Sequence, residues 1–135
     1  MGLDTDALVA ARLLAERNLP GLIVVDAEGR PDTILPGTQV LRFAVPAYVQ
    51  DDPKLAGVID EVSADAFCQT LAGTPVRDLL PARARELPVV DGGDTVLEIA
   101  AIMARTRTPL VAVVENGRML GAVTLDALLD RMLPA

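Results

Sequence analysis

Two stretches of this chain are versions of one another, and that repetition restricts the possible folds more than any other feature. "DALVAARLLAERNLPGLIVVDAEGRPDTILPGTQVL" begins at Asp6 and "TVLEIAAIMARTRTPLVAVVENGRMLGAVTLDALL" at Thr95, a separation of 89. Pro20 and Pro109 keep that separation, as do Leu22-Ile23-Val24 and Val111-Ala112-Val113. The first turn, "DAEGR", is one residue longer than the second, "ENGR". Beyond it the separation is 88, which pairs Gly29 with Gly117 and Arg30 with Arg118. A length change confined to a turn is what a duplicated chain tolerates. Two like units, packed on one another, are the expected result.

Each half is predicted to run helix, strand, turn, strand, helix. In the second half, Thr95 and Glu98 have the spacing of a capping box. Val96, Ile99, Met103 and Thr106 then follow at helical spacing. Small or apolar residues lie between them, so this helix has little polar surface and is expected to be covered on two sides. "PLVAVV" has the unbroken apolar run of a buried strand. Asn116-Gly117 supplies the positive φ angles of a two-residue hairpin. "MLGAV" returns, and Thr124 caps "LDALLDRML". The first half is predicted as a helix over about 4–17, a strand at "GLIVV", a return at "DTIL" and a helix capped by Thr38. Asp52-Pro53 predicts a further helix to about Glu61, and Ser63 another to about Leu71. "TPVRDLL" is predicted as a short extended lead-in to the second half. "PARARELPVV" reads as a proline-bracketed connection.

A chain of 135 residues that is 51% hydrophobic can bury a sizeable core. Aromatics are only 2%, so Val, Leu, Ile and Ala must fill it. So much apolar surface on a short chain points to a subunit interface, and a homodimer is expected. The net charge of −7 would repel a phosphate backbone, which excludes nucleic acid as a partner. No apolar run is long enough to span a membrane. "MGLDTDALVA" has no basic region before an apolar stretch, so no signal peptide is expected and the cytoplasm is the expected location. Cys68 is the single cysteine and reads as a small, buried apolar helix residue. With no histidine, zinc sites of Cys and His and nucleophiles activated by His are both excluded.

The repeat resembles a tandem pair of cystathionine-beta-synthase (CBS) domains. The second unit carries the likeness through Val76-Arg77-Asp78-Leu79-Leu80, Asp94-Thr95, Ala112-Val113-Val114-Glu115 and Gly121-Ala122-Val123-Thr124. The resemblance implies an α/β fold of two units, residues 1–73 and 74–135, related by a pseudo-two-fold axis with a cleft on each side. It implies a regulatory, non-enzymatic module. Such a module would bind AMP, ATP or S-adenosylmethionine in a cleft and act on a separate enzyme or transporter. By position in the motif, Thr124 would meet the ribose or phosphate. Val76, Leu110, Val111 and Ala112 would form an apolar wall for the base, and Arg77 and Asp126 would contribute charge.

Several positions depart from the family pattern. Its ribose-binding aspartate falls at Ala127, and Asp126, one residue earlier, is turned by about 100° on a helix. In the first unit Pro36 and Gln39 take the places of the threonine and aspartate. Pro20 and Pro109 stand where the family often has a basic residue. Thr124 therefore reads equally as a plain helix cap, and Arg105 and Arg107 as charges that offset a helix dipole. A structural dimerisation module with degenerate clefts is the alternative reading.

Overall fold

A computed structural model describes residues 1–54, 62–81 and 87–134. Asp6 caps the first helix by accepting from the Leu8 N–H. That helix, α1 (Ala7–Glu16), leads to β1 (Gly21–Val25), β2 (Pro31–Pro36) and α2 (Gly37–Ala44). Two shorter pieces, α3 (Ala47–Asp51) and α4 (Val62–Leu71), and a 3-10 turn at Val76–Asp78 lead into the second half. There β3 (Val89–Asp91) precedes α5 (Val96–Thr106), β4 (Leu110–Glu115), β5 (Arg118–Thr124) and α6 (Leu125–Met132). The predicted order holds in both halves, and the fold is the mixed α/β type expected.

The register is that of a duplication. β1 and β2 pair antiparallel from Gly21↔Pro36 to Val25↔Pro31, and β4 and β5 from Leu110↔Thr124 to Glu115↔Arg118. The second hairpin turns at Asn116 and Gly117, with φ of 53° and 78°. That is the positive-φ pair a two-residue turn requires. β3 adds a parallel strand to β4, with Asp91 opposite Val114. The first half has the same contact in miniature, a parallel bridge from Gly2 to Val25. The separation of 89 thus extends almost to the first residue. Nothing in "MGL" and "VDG" would have revealed it.

Four predictions need correction. Cys68, expected to be buried, is exposed on α4. Thr38 lies inside α2 and does not cap it; the cap position is Pro36. Pairing of Gly21 with Pro36 carries the strand that far, and the Gly37 N–H then donates to the Pro20 carbonyl at 2.9 Å, which starts the helix. The lead-in "TPVRDLL" is not extended. Asp78 and Leu79 donate back to the Pro75 and Val76 carbonyls and close a 3-10 turn. The "proline-bracketed connection" ends in a strand, β3. The predicted helix from Asp52 to Glu61 lies largely outside the described residues.

Apolar packing forms three clusters. The first, between α1, β1, β2, α2 and α4, includes Ala7, Ala10, Val24, Leu35 and Leu71. It also takes in Val76 and Leu79 from the connection, both essentially inaccessible. Backbone bonds fasten that connection to the N-terminal segment: Val76 N–H to the Thr5 carbonyl, and Arg77 N–H to that of Leu3. The second cluster joins the halves through Ile23 and Ile34 of one sheet and Leu110 and Ala112 of the other, with Leu87. The third lies in the second half, with Val90, Met103, Val111 and Leu128. Sheet-to-sheet packing therefore holds the repeats together. Gly21, the counterpart of Leu110, has no room for a side chain, since a Cβ there would lie 2.9 Å from the Leu35 carbonyl oxygen.

Candidate functional site

Two of the site residues, Thr124 and Asp126, come together where β5 becomes α6. The Leu125 N–H donates to the Pro109 carbonyl at 2.9 Å, and Thr124 Oγ1 accepts from the Ala127 N–H at 3.2 Å. Thr124 thus caps the helix, which satisfies one of its orphan donors. Beside it is a depression of about 270 Å³ lined by Asn18, Leu19, Pro20, Pro109, Thr124, Leu125 and Asp126. Small-ligand pockets start at about 300 Å³, so this one lies just under the lower limit. Its walls come from both halves, the turn after α1 on one side and the β5–α6 junction on the other.

The local sequence accounts for these positions. Asn18 has φ of 51° and follows α1; Arg107, 89 residues on, has φ of 55° and ends α5. Each left-handed residue turns the chain from helix to strand, and asparagine tolerates that conformation better than arginine. Asp126 lies in the first turn of α6, where a carboxylate is favoured by the helix dipole. It lines the depression with Thr124 as the helix cap and Leu125 as the first residue of α6. The 100° offset from the family's aspartate position therefore does not remove it from the lining of the depression.

The remaining site residues are placed elsewhere. Leu110, Val111 and Ala112 are buried: Leu110 and Ala112 between the sheets, Val111 in the second-half core. None of the three lines the depression. Val76 is fully buried in the first-half core, and Arg77 ion-pairs with Asp4 at the surface. The structure brings Thr124 and Asp126 together and adds Asn18. Sequence reading missed Asn18, although the 89-residue repeat aligned it with Arg107.

The equivalent junction in the first half is differently equipped. Pro36 offers no hydroxyl, and α2 has no side-chain cap. Gln39, which stands where Ala127 does, donates its amide to the Leu79 carbonyl at 2.8 Å. That bond ties α2 to the connection. A larger cleft, about 820 Å³, is elsewhere again, lined by residues of the second half alone that include Val89, Ile102, Arg105 and Arg107. Arg105 is in the last turn of α5, where a positive charge offsets the helix dipole, and it borders this cleft with Arg107. No group of three or more His, Cys, Asp or Glu among the described residues is placed to hold a metal ion. No helix among them is long and apolar enough to cross a membrane.

Comparison with known proteins agrees with this fold. The CBS domain family matches residues 76–134. A CBS-domain-containing protein of unknown function from Kribbella flavida DSM 17836 is 59% identical, with a TM-score of 0.86 over 98% of this chain and 90% of that one. The CBS domain of a CBS-domain-containing membrane protein from Sphaerobacter thermophilus is 21% identical, with a TM-score of 0.71 over 98% and 80%. CBSX2 in complex with AMP is 19% identical, with a TM-score of 0.64 over 98% and 84%. No curated protein matches the chain.

Proposed function

The chain belongs to the CBS-domain family, and from that premise we propose that it is a regulatory module that binds an adenosine-containing ligand and performs no chemistry of its own. The ligand sits against Thr124, Asp126 and Asn18. One observation carries this reading: the depression is walled by both halves of the repeat. An occupant touches the α1–β1 turn and the β5–α6 junction together, so its binding energy depends on how the halves pack. That dependence is what lets a ligand shift a conformational equilibrium which a partner can read. CBSX2, of the same fold, is a complex with AMP, which supports adenosine compounds, AMP, ATP and S-adenosylmethionine among them, as the ligand class. The module works in the cytoplasm on a separate enzyme or transporter. Calorimetric titration with adenosine, AMP, ATP and S-adenosylmethionine tests the site. Binding of at least one compound, weakened at least tenfold by Thr124→Ala, is the expected result. Binding by none of the four would overturn it.

A second reading, dimerisation, rests on a separate observation and is compatible with the first. α5 and α6 leave an apolar groove of about 460 Å³, lined by residues that include Ala100, Met103, Ala104, Leu125, Leu129 and Met132. Leu97 beside it is 71% exposed. This is the second covered side that the polar-poor pattern of α5 predicts, left open within one chain. We propose that a second copy covers it.

A further inference from the structure

We propose that the cleft at Asn18, Thr124 and Asp126 selects against phosphate, so that its ligand is a nucleoside bearing a neutral or positively charged 5′ group. The inference rests on the nucleoside site proposed above and specifies what that site accepts. Three observations carry it. Asp126 is the one charged residue lining the depression, and no cationic side chain lines it among the described residues. The two positions that flank the strands, Pro20 and Pro109, both line the same depression and offer neither charge nor N–H. Two of the junction's own donors are also taken: the Leu125 N–H by the Pro109 carbonyl, and the Ala127 N–H by Thr124 Oγ1.

A helix start usually attracts phosphate because its amides are free and its dipole is positive. Here two of those amides are satisfied internally and the dipole already faces a carboxylate. A phosphate brought into the cleft would meet Asp126 with no cationic side chain in the lining, on a molecule whose net charge is −7. The groups that remain suit a ribose and a base. The Asp126 carboxylate accepts from sugar hydroxyls, the Asn18 amide both donates and accepts, and the prolines offer an apolar surface. A sulfonium or ammonium group at the 5′ position would be drawn to Asp126, whereas a triphosphate would be repelled.

The test is titration calorimetry of the full chain and of Asp126→Asn with adenosine, S-adenosylmethionine, AMP and ATP, at low and high salt. Adenosine and S-adenosylmethionine are expected to bind the native chain at least tenfold more tightly than ATP. Asp126→Asn should reduce that gap to within about threefold, and raised salt should narrow it in the native chain alone, as screening requires. AMP or ATP binding as tightly as adenosine would overturn the selectivity and leave the nucleoside site standing. A gap unchanged by Asp126→Asn would do the same. Binding of none of the four would remove the nucleoside site itself.

Discussion

Val76 belongs by sequence to the lead-in of the second half, yet its side chain is fully buried among residues of the first. Val76→Ala therefore measures how far the connection is part of the first-half core. The change removes two carbons from a site with no accessible surface. Transfer contributes about 0.8 kcal/mol for each. The cavity left behind, about 40 Å³, adds about 1 kcal/mol at roughly 24 cal/mol per Å³. The expected loss is about 2.5 kcal/mol. Unfolding a chain of this size carries an entropy of about 2.1 cal/mol/K per residue. Over 135 residues the midpoint should fall by about 9 °C. Calorimetry and urea titration at one fixed protein concentration give both values, since a dimer makes the midpoint concentration-dependent. Arg77→Ala, next door and half-exposed, is the control and should cost under about 0.5 kcal/mol. A loss of under about 0.5 kcal/mol for Val76→Ala would refute the reasoning, because the connection would then be an ordinary linker.

Other expectations are independent of that one. Thr124→Ala should cost about 1 kcal/mol in urea titration without ligand, the usual value of a lost N-cap. Arg107→Gly relieves a left-handed residue at the end of α5 and should stabilise the chain by about 0.5–1 kcal/mol in the same assay. Hydrogen bonds from the N–H groups of Gly73 and Leu8 hold the Asp6 carboxyl below its ordinary value. A carboxyl with a lowered folded pKa stabilises above its unfolded value, here 3.8, and loses that contribution as pH falls through the lower folded one. Asp6→Asn should therefore flatten the fall in thermal midpoint as pH drops below 3.8, with an unchanged slope counting against the role given to Asp6. Sedimentation should find a dimer at micromolar concentration, and Leu129→Glu, on the open α5–α6 face, should yield a monomer.

What could be read from sequence follows the range of the interactions involved. The hairpin at Asn116-Gly117, the Thr95 cap and the apolar strands are local patterns, and all three stand in the structure. The repeat made the overall arrangement legible because it encodes a symmetry and not merely a propensity. Features set by distant partners were not legible. Thr38 has the chemistry of a cap, but the partner strand decides where α2 begins, and it places Pro36 there. β3 is three residues long and exists because β4 pairs with it. Of the candidate site, Thr124 was legible from its junction. Asn18 was not, because it reaches the depression only through the packing of one half on the other. Val76 and Val111 have the apolar character of a base-binding wall, and that same character buries them in the cores.

The central claim is that one ligand contacts both halves of the repeat at once. Amide chemical-shift mapping of the labelled chain, titrated with adenosine, tests it most directly. The account predicts saturable shifts at Asn18 and Leu19 together with Leu125 and Asp126, following a single binding curve. Shifts confined to one half, or centred on Arg105 to Thr108, would contradict it.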